Sequence, residues 1–177
     1  MEASAVIRAC APLVQPLEDT RAIPNNAKCP LLIYPNALAL PRENPARMIE
    51  RLLAANHWGG TWRDSIYPYH HYHSTAHEVL ACYHGSADVQ LGGEPGINYT
   101  MNVGDVILIP AGTGHKNLHA TDDFAVVGAY PQGQTWDMCY GKADERPQAD
   151  HNITRVPLPK ADPIYGADGP VLDYWKA

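Results

Sequence analysis

The stretch H-Y-H-S-T-A-H-E-V-L-A-C-Y-H-G, from His71 to Gly85, holds an H-x-H pair and, a short turn later, a carboxylate at Glu78. Residues two apart on an extended chain share a face, so His71 and His73 point the same way. The run after the turn alternates as a strand, with Glu78, Leu80, Cys82 and His84 on one face. A second stretch, G-D-V-I-L-I-P-A-G-T-G-H from Gly104 to His115, ends in another histidine after a Pro-Ala-Gly turn. In a closed barrel the inward faces of several strands converge. His71, His73, Glu78 and His115 can then form a cage of imidazole nitrogen and carboxylate oxygen. That donor set suits one divalent transition metal, Fe, Mn, Ni, Zn, Co or Cu, without choosing among them. Four ligands leave an octahedral ion two open positions for substrate, O2 or water. A lone strand histidine is usually a surface or hydrogen-bonded residue, so the weight lies on the combination. His77, beside Glu78, competes for the fourth position.

Around these stretches the chain reads as short strands separated by Gly, Pro and Asn. They are Thr61–His73, Glu78–His84, Ala87–Leu91, Ile97–Met101, Asp105–Ile109, Lys116–His119 and Phe124–Tyr130. Gly92-Gly93-Glu94-Pro95-Gly96 reads as a hairpin loop. Such spacing predicts an all-β sandwich or barrel. If Thr61–His73 is one strand, parity places Arg63, Ser65, Tyr67 and Tyr69 on the face of His71 and His73. Trp62, Ile66, His70 and Tyr72 then face the other way. Arg63, Tyr67 and Tyr69 become candidates for binding a small oxygen-rich ligand, Arg63 through a bidentate contact. Tyr67 and Tyr69 are also catalytic candidates. Trp62 and Trp136 read as packing residues. His70 is out of parity with the ligand pair, and His84 falls at the rim.

Residues 1–44 form an extended arm. Within it Leu31–Tyr34, between Pro30 and Pro35, reads as an edge strand that invites pairing with a second copy. Residues 45–60 read as a helix, capped by Asn44, opened by Pro45 and stopped by Gly59-Gly60. Its apolar face is Met48, Ile49, Leu52 and Leu53. Residues 61–141 form the barrel core. Residues 142–177 form a second arm, anchored across the body by Tyr165, Leu172, Tyr174 and Trp175.

The net charge of −6 comes without a basic patch, so neither nucleic acid nor an anionic membrane is an expected partner. The four cysteines are widely spaced with no C-x-x-C, which suits reduced thiols in a cytoplasmic protein. No apolar run nears the ~20 residues that span a bilayer. The start of the chain lacks the basic segment of a secretion signal. The sequons at Asn98 and Asn152 are then chance matches.

The two stretches resemble the motifs of the cupin superfamily, G-x5-H-x-H-x(3,4)-E-x6-G and G-x5-P-x-G-x2-H-x3-N. His71-x-His73, Glu78 and Gly85 match the first; Gly104, Pro110-x-Gly112 and His115 match the second. The wider chain resembles a group of stand-alone bacterial cupins without an assigned activity. That likeness runs through I-P-N-N, W-R-D-S-I-Y, H-K-N, G-A-Y-P-Q-G-Q and P-I-Y-G-A-D-G-P. Two positions depart from the motifs: Ser65 stands at the opening Gly, and His119 at the closing Asn. His119 shares nominal parity with His115 and becomes a further catalytic candidate. The resemblance implies an RmlC-like jelly-roll barrel, the ligands His71, His73, Glu78 and His115, and a homodimer. It favours Glu78 over His77 through the gap to Gly85. It implies a metalloenzyme on a small-molecule ligand, an oxygenase or related oxidoreductase. The alternatives are a metal-dependent isomerase or epimerase, a binding module without catalysis, and a structural protein with a vestigial site.

Overall fold

The computed structural model describes residues 3–176. Among the described residues nine strands follow one another: β1 (Leu13–Gln15), β2 (Leu31–Tyr34), β3 (Trp58–Asp64), β4 (Glu78–His84), β5 (Ser86–Leu91), β6 (Ile97–Asn102), β7 (Val106–Ile109), β8 (His115–Ala120) and β9 (Ala125–Pro131). Helix α1 spans Pro45–Ala55; α2 (Gln148–Ile153) and α3 (Val171–Tyr174) are short and lie near the end. Six strands form one antiparallel sheet, ordered β1-β2-β7-β4-β9-β3, and three form a second, ordered β6-β5-β8. Two antiparallel sheets with crossed connections make the jelly roll expected of the sequence. No helix among the described residues is long and apolar enough to cross a membrane.

The centre of the large sheet is buried on both faces. Val79, Ala81, Val106, Leu108, Val127 and Ala129 pack under α1 and the arms. Leu80, Cys82, Ile107, Ile109 and Val126 face the other way, onto Val89, Leu91 and Met101 of the small sheet. Strands covered on both sides need apolar residues at every position, which is why V-I-L-I and A-V-V-G-A-Y run without alternation.

Helix α1 buries Ala46, Met48, Ile49, Leu52 and Leu53, as its periodicity predicts. Its ends differ from expectation. Asn44 adopts a left-handed conformation (φ 53°, ψ 46°) and makes no side-chain cap. The helix stops at Ala55, and His57, also left-handed at φ 64°, turns the chain. Gly59 and Gly60 lie inside β3, where the register with β9 shifts between Gly59 and Trp62.

Leu31–Tyr34 is not an edge. It lies between β1 and β7, and all four residues are buried. The short β1 covers it, with Leu13 exposed, so the pairing surface expected of β2 is already occupied. The final segment is tied to the same strand. Tyr34 donates its hydroxyl to the buried Asp162 carboxylate at 2.5 Å, and Trp175 donates its indole N–H to Pro30 O at 2.8 Å.

Leu53→Ala should lower the unfolding free energy by about 2–5 kcal/mol in urea titration, because a buried side chain leaves a cavity. Arg51→Ala, on the exposed face of the same helix, should change it by less than about 0.5 kcal/mol.

Candidate metal centre

The chain reaches the centre through three elements. Glu78 opens β4 opposite Ile109 of β7, and His115 opens β8. His71 and His73 lie on a short extended segment outside the named strands. There His71 and His115 exchange backbone hydrogen bonds, His71 N–H to His115 O at 3.3 Å and the reverse at 3.0 Å. Tyr72 pairs in the same way with Cys139, both bonds 2.9 Å. The turn before His115 is pinned from two sides. Gly112 donates to His73 O at 2.8 Å, and Asn25 N–H donates to Gly112 O at 2.9 Å. Gly112 has φ +91°, and a Cβ there would sit 2.5 Å from Asn25 O, so only glycine fits.

These constraints bring three imidazoles together. One ring nitrogen from each of His71, His73 and His115 lies within 4.8 Å of the other two. All three rings are buried. Each Nδ1 is tied to a backbone carbonyl: His71 to Tyr69 O and His115 to Thr113 O, both at 3.2 Å, and His73 to Asp137 O. A ring that donates from Nδ1 keeps its lone pair on Nε2, which fixes the tautomer a metal needs. Glu78 is 2% exposed, and its Oε2 stands 3.3 Å from His73 Nε2 and 3.2 Å from His115 Nε2. That oxygen has no hydrogen-bond partner of its own. A buried carboxylate oxygen facing imidazole lone pairs is costly unless a proton or cation sits between them.

The electrostatics agree. Burial pushes the Glu78 carboxyl up, but the nearby His73 and His115 outweigh it and hold it below the ordinary carboxylate range. Burial likewise opposes a charged His73, and Glu78 reverses that, so His73 is raised. His71 is pushed down to about 3, first by burial and then by the nearby His115, so it stays neutral. A divalent ion would take the place of the proton on the His73 side, as metal binding to imidazole requires. The residues fit such an ion.

The other histidines lie elsewhere. His77 is buried on the opposite face of the chain from Glu78; its Nδ1 accepts the Ala111 N–H at 3.0 Å and its ring packs 4.6 Å from Trp175. His70 bonds Gln90 Oε1 at 3.0 Å, and His84 is exposed. His119 is exposed as well, opposite Asp88. The register of β8 against β5 slips there: Val89 pairs with Asn117 but Asp88 with His119, leaving Leu118 as the extra residue. One extra residue reverses parity, so His119 faces outward and its catalytic candidacy falls.

Strand parity misplaces Arg63 for a similar reason. Strand β3 ends at Asp64, so Thr61–His73 is not one strand. Trp62 pairs with Gly128, and Arg63 with Val127, whose side chain packs under α1. Trp62 therefore faces the barrel interior. Arg63 borders the cavity but turns its guanidinium to Glu50 of α1, in a bidentate pair at 2.7 and 2.8 Å. Tyr67 and Tyr69 stack on each other at 5.0 Å beside His71, both about half exposed; Tyr67 lines the cavity, and Tyr69 lies outside its walls.

That cavity, about 390 Å³, opens onto His71, His73, Glu78 and His115. Its other walls include Trp62, Ile66, Leu80, Tyr130, Trp136 and Met138. Tyr130 and Trp136 are site residues that sequence reasoning misses. Tyr130 lies on β9, where every residue from Val126 to Pro131 is buried, so alternation cannot say which face looks inward. The only local signal is the G-x-Y spacing of Gly128 and Tyr130. Trp62 lies flat over Gly128, where a Cβ would collide with the indole, and its N–H donates to the Tyr130 hydroxyl at 2.9 Å.

Two facing antiparallel sheets with histidines and a buried glutamate at one end give this protein a jelly-roll barrel of the cupin type. It is 43% identical over 157 residues to the protein named Uncharacterized protein YjlB of Bacillus subtilis (strain 168), covering 89% of this chain and 92% of that protein, and it belongs to the YjlB family. No protein-family model matches the chain. Among solved structures it is similar to vicilin of Solanum lycopersicum (15% identity, TM-score 0.39, 66% of this chain), of which it spans only 30%. It is also similar to RmlC of Streptococcus suis (14% identity, TM-score 0.37, 96% of each chain). RmlC of Legionella pneumophila, a dTDP-6-deoxy-D-glucose-3,5-epimerase, gives 12% identity and a TM-score of 0.38 over 69% of this chain and 72% of that one. Likenesses this distant say nothing about the chemistry.

Replacing His71, His73 or His115 with Ala should drop bound metal well below one ion per chain in elemental analysis of the purified protein, and Glu78→Ala should weaken retention. His70→Ala and His77→Ala should retain metal at the wild-type level. Loss in His77→Ala together with retention in Glu78→Ala would make His77, and not Glu78, the fourth ligand.

Proposed function

We propose that this cupin is a metalloenzyme that oxidises a small organic molecule, an oxygenase or related oxidoreductase. His71, His73, Glu78 and His115 hold one divalent transition metal. The observation that supports this most is the arrangement of the three imidazoles. Each is locked through Nδ1 to a backbone carbonyl, and two turn Nε2 toward the unpartnered Oε2 of Glu78. When bound, such an ion supplies Lewis acidity and, if redox-active, one-electron chemistry with O2.

The chain's own residues do the rest. Trp62, Leu80 and Tyr130 shield the centre from bulk water and shape the space beside it. Tyr130 accepts the Trp62 N–H, and its own hydroxyl lies beside the Glu78 carboxylate, at the edge of the space a bound molecule would fill. Burial, and then the charge of Glu78, hold that phenol well above its ordinary value, so it keeps the proton at neutral pH. Tyr130 is thus suited to orient a substrate rather than to remove a proton. The remaining charged residues at the cavity are Arg63, held by Glu50, and Asp64, exposed at the mouth. An isomerase needs a positioned base of near-neutral pKa. Outside the histidine cage the one carboxylate lining the cavity is Asp64, exposed at its mouth and away from the buried centre, which favours the oxidoreductase over the isomerase. A homodimer remains part of the proposal, now through the exposed edge at β1; light scattering that gives only the monomer mass would remove it.

Chelation should lower the melting temperature by roughly 5–11 °C without unfolding the chain, since losing a ligand at ~100 times its dissociation constant removes ~2.7 kcal/mol. In an oxygen electrode, Fe(II)-loaded protein should consume O2 faster once the substrate is added. Deuterium exchange at a substrate C–H without O2 uptake would identify an isomerase instead. Saturable binding with neither response would leave a binding module.

A further inference from the structure

The walls of the cavity carry information about the ligand that the metal ligands do not. Trp62, Ile66, Leu80, Tyr130, Trp136 and Met138 give it a predominantly apolar and aromatic lining. Tyr130 and Trp136 lie nearly parallel, centroids 6.1 Å apart and planes 24° apart, and the Trp136 ring also stands 5.7 Å from His73. Trp136 is about half exposed, so one of its faces is open at the mouth. The Trp62 indole N–H is already bonded to the Tyr130 hydroxyl. Among the lining residues the sole Lys or Arg is Arg63, and both arms of its guanidinium are held by Glu50. Two carboxylates, Glu78 and Asp64, border the same space. Beside the metal, a phosphate or dicarboxylate entering here would meet two carboxylates and no free side-chain cation. A flat apolar molecule would meet rings on which to stack.

We propose that the pocket takes a small, uncharged, planar or aromatic molecule carrying adjacent oxygen donors at one end, and rejects polyanions such as phosphorylated metabolites. The oxygen-bearing end faces the histidine cage, and the flat body lies between Trp62, Tyr130 and Trp136. This rests on the metal-centre reading for the orientation of the ligand, and on the walls alone for its apolar, flat character. Trp136 is then a specificity-determining residue, acting by stacking and not by holding the ion.

The test uses full-length protein loaded with Zn(II), which avoids turnover, and reads binding by calorimetry. Catechol serves as the flat chelating probe, malonate as a chelating dianion and inorganic phosphate as a polyanion. Catechol should bind about tenfold or more tighter than malonate or phosphate, because only it can use the aromatic walls. Trp136→Ala should weaken catechol about fivefold while malonate affinity and zinc content stay at wild-type values. Gly128→Ala, whose new methyl would displace the Trp62 indole, should weaken catechol in the same selective way. Malonate or phosphate binding as tightly as catechol overturns the proposal, as does a Trp136→Ala protein that binds catechol unchanged. If the chain takes up no zinc, the metal reading fails, and anisole, a flat probe without a chelating pair, decides the walls separately. Anisole binding to metal-free protein that weakens in Trp136→Ala supports the apolar pocket; no anisole binding overturns it.

Discussion

A carboxylate held inside a protein must be compensated, and Glu78 is 2% exposed. Burying an isolated charge costs far more than one hydrogen bond returns. Compensation comes from His73 and His115, each about 3.2–3.3 Å from one oxygen, and not from an arginine or a backbone N–H. Imidazoles are a poor permanent counterion, because their own burial opposes protonation, as the lowered His71 illustrates. A site of this composition is most comfortable with a cation in it. The arrangement of the surrounding chain follows from keeping these four side chains together.

The keeping is done by backbone and not by side-chain packing alone. His71 and His115 are locked by reciprocal hydrogen bonds, and His73 is tied both to Gly112 and, through its ring, to Asp137. Asp137 is itself gripped: its carboxylate accepts from the Ser74 hydroxyl, from the Ser74 N–H at 2.6 Å and from the Thr75 N–H at 3.3 Å. Asn25 and Asn26 hold the turn before His115 from the N-terminal arm, Asn26 donating to Ala111 O at 3.0 Å. The arm that sequence inspection describes only as extended therefore buttresses a ligand. The large sheet supplies rigidity behind it, since both of its faces are covered and neither can shift without opening a core.

The cavity shows where strand parity is a reliable guide and where it fails. It holds on β4, an uninterrupted strand on which Glu78, Leu80 and Cys82 share the interior face. It fails before His71, because β3 ends at Asp64 and carries a register shift between Gly59 and Trp62. It fails after His115, because Leu118 is an extra residue opposite β5. The break after Asp64 undoes the parity link from His71 back to Arg63, so Trp62 faces the interior while Arg63, at the cavity's border, turns to Glu50; the extra residue on β8 turns His119 to solvent. A single sequence gives no local sign of Leu118. Gly59-Gly60 is visible, but a glycine pair after a helical pattern suits a helix stop as well as it suits an irregular strand.

Residue identity and spacing alone determined the all-β class, the amphipathic helix with Met48, Ile49, Leu52 and Leu53 inward, and the convergence of His71, His73 and His115, while the resemblance to the cupin motif singled out Glu78 over His77. Those features depend on local periodicity and on short intervals that a strand or turn converts directly into direction. Only the tertiary structure decided that Leu31–Tyr34 is an internal strand, that Arg63 is held by Glu50, and that Tyr130 and Trp136 line the cavity. Pairing partners, long-range ion pairs and the inward face of a doubly buried strand depend on residues far away in the chain. No pattern within such a segment records which of its two apolar faces meets the site.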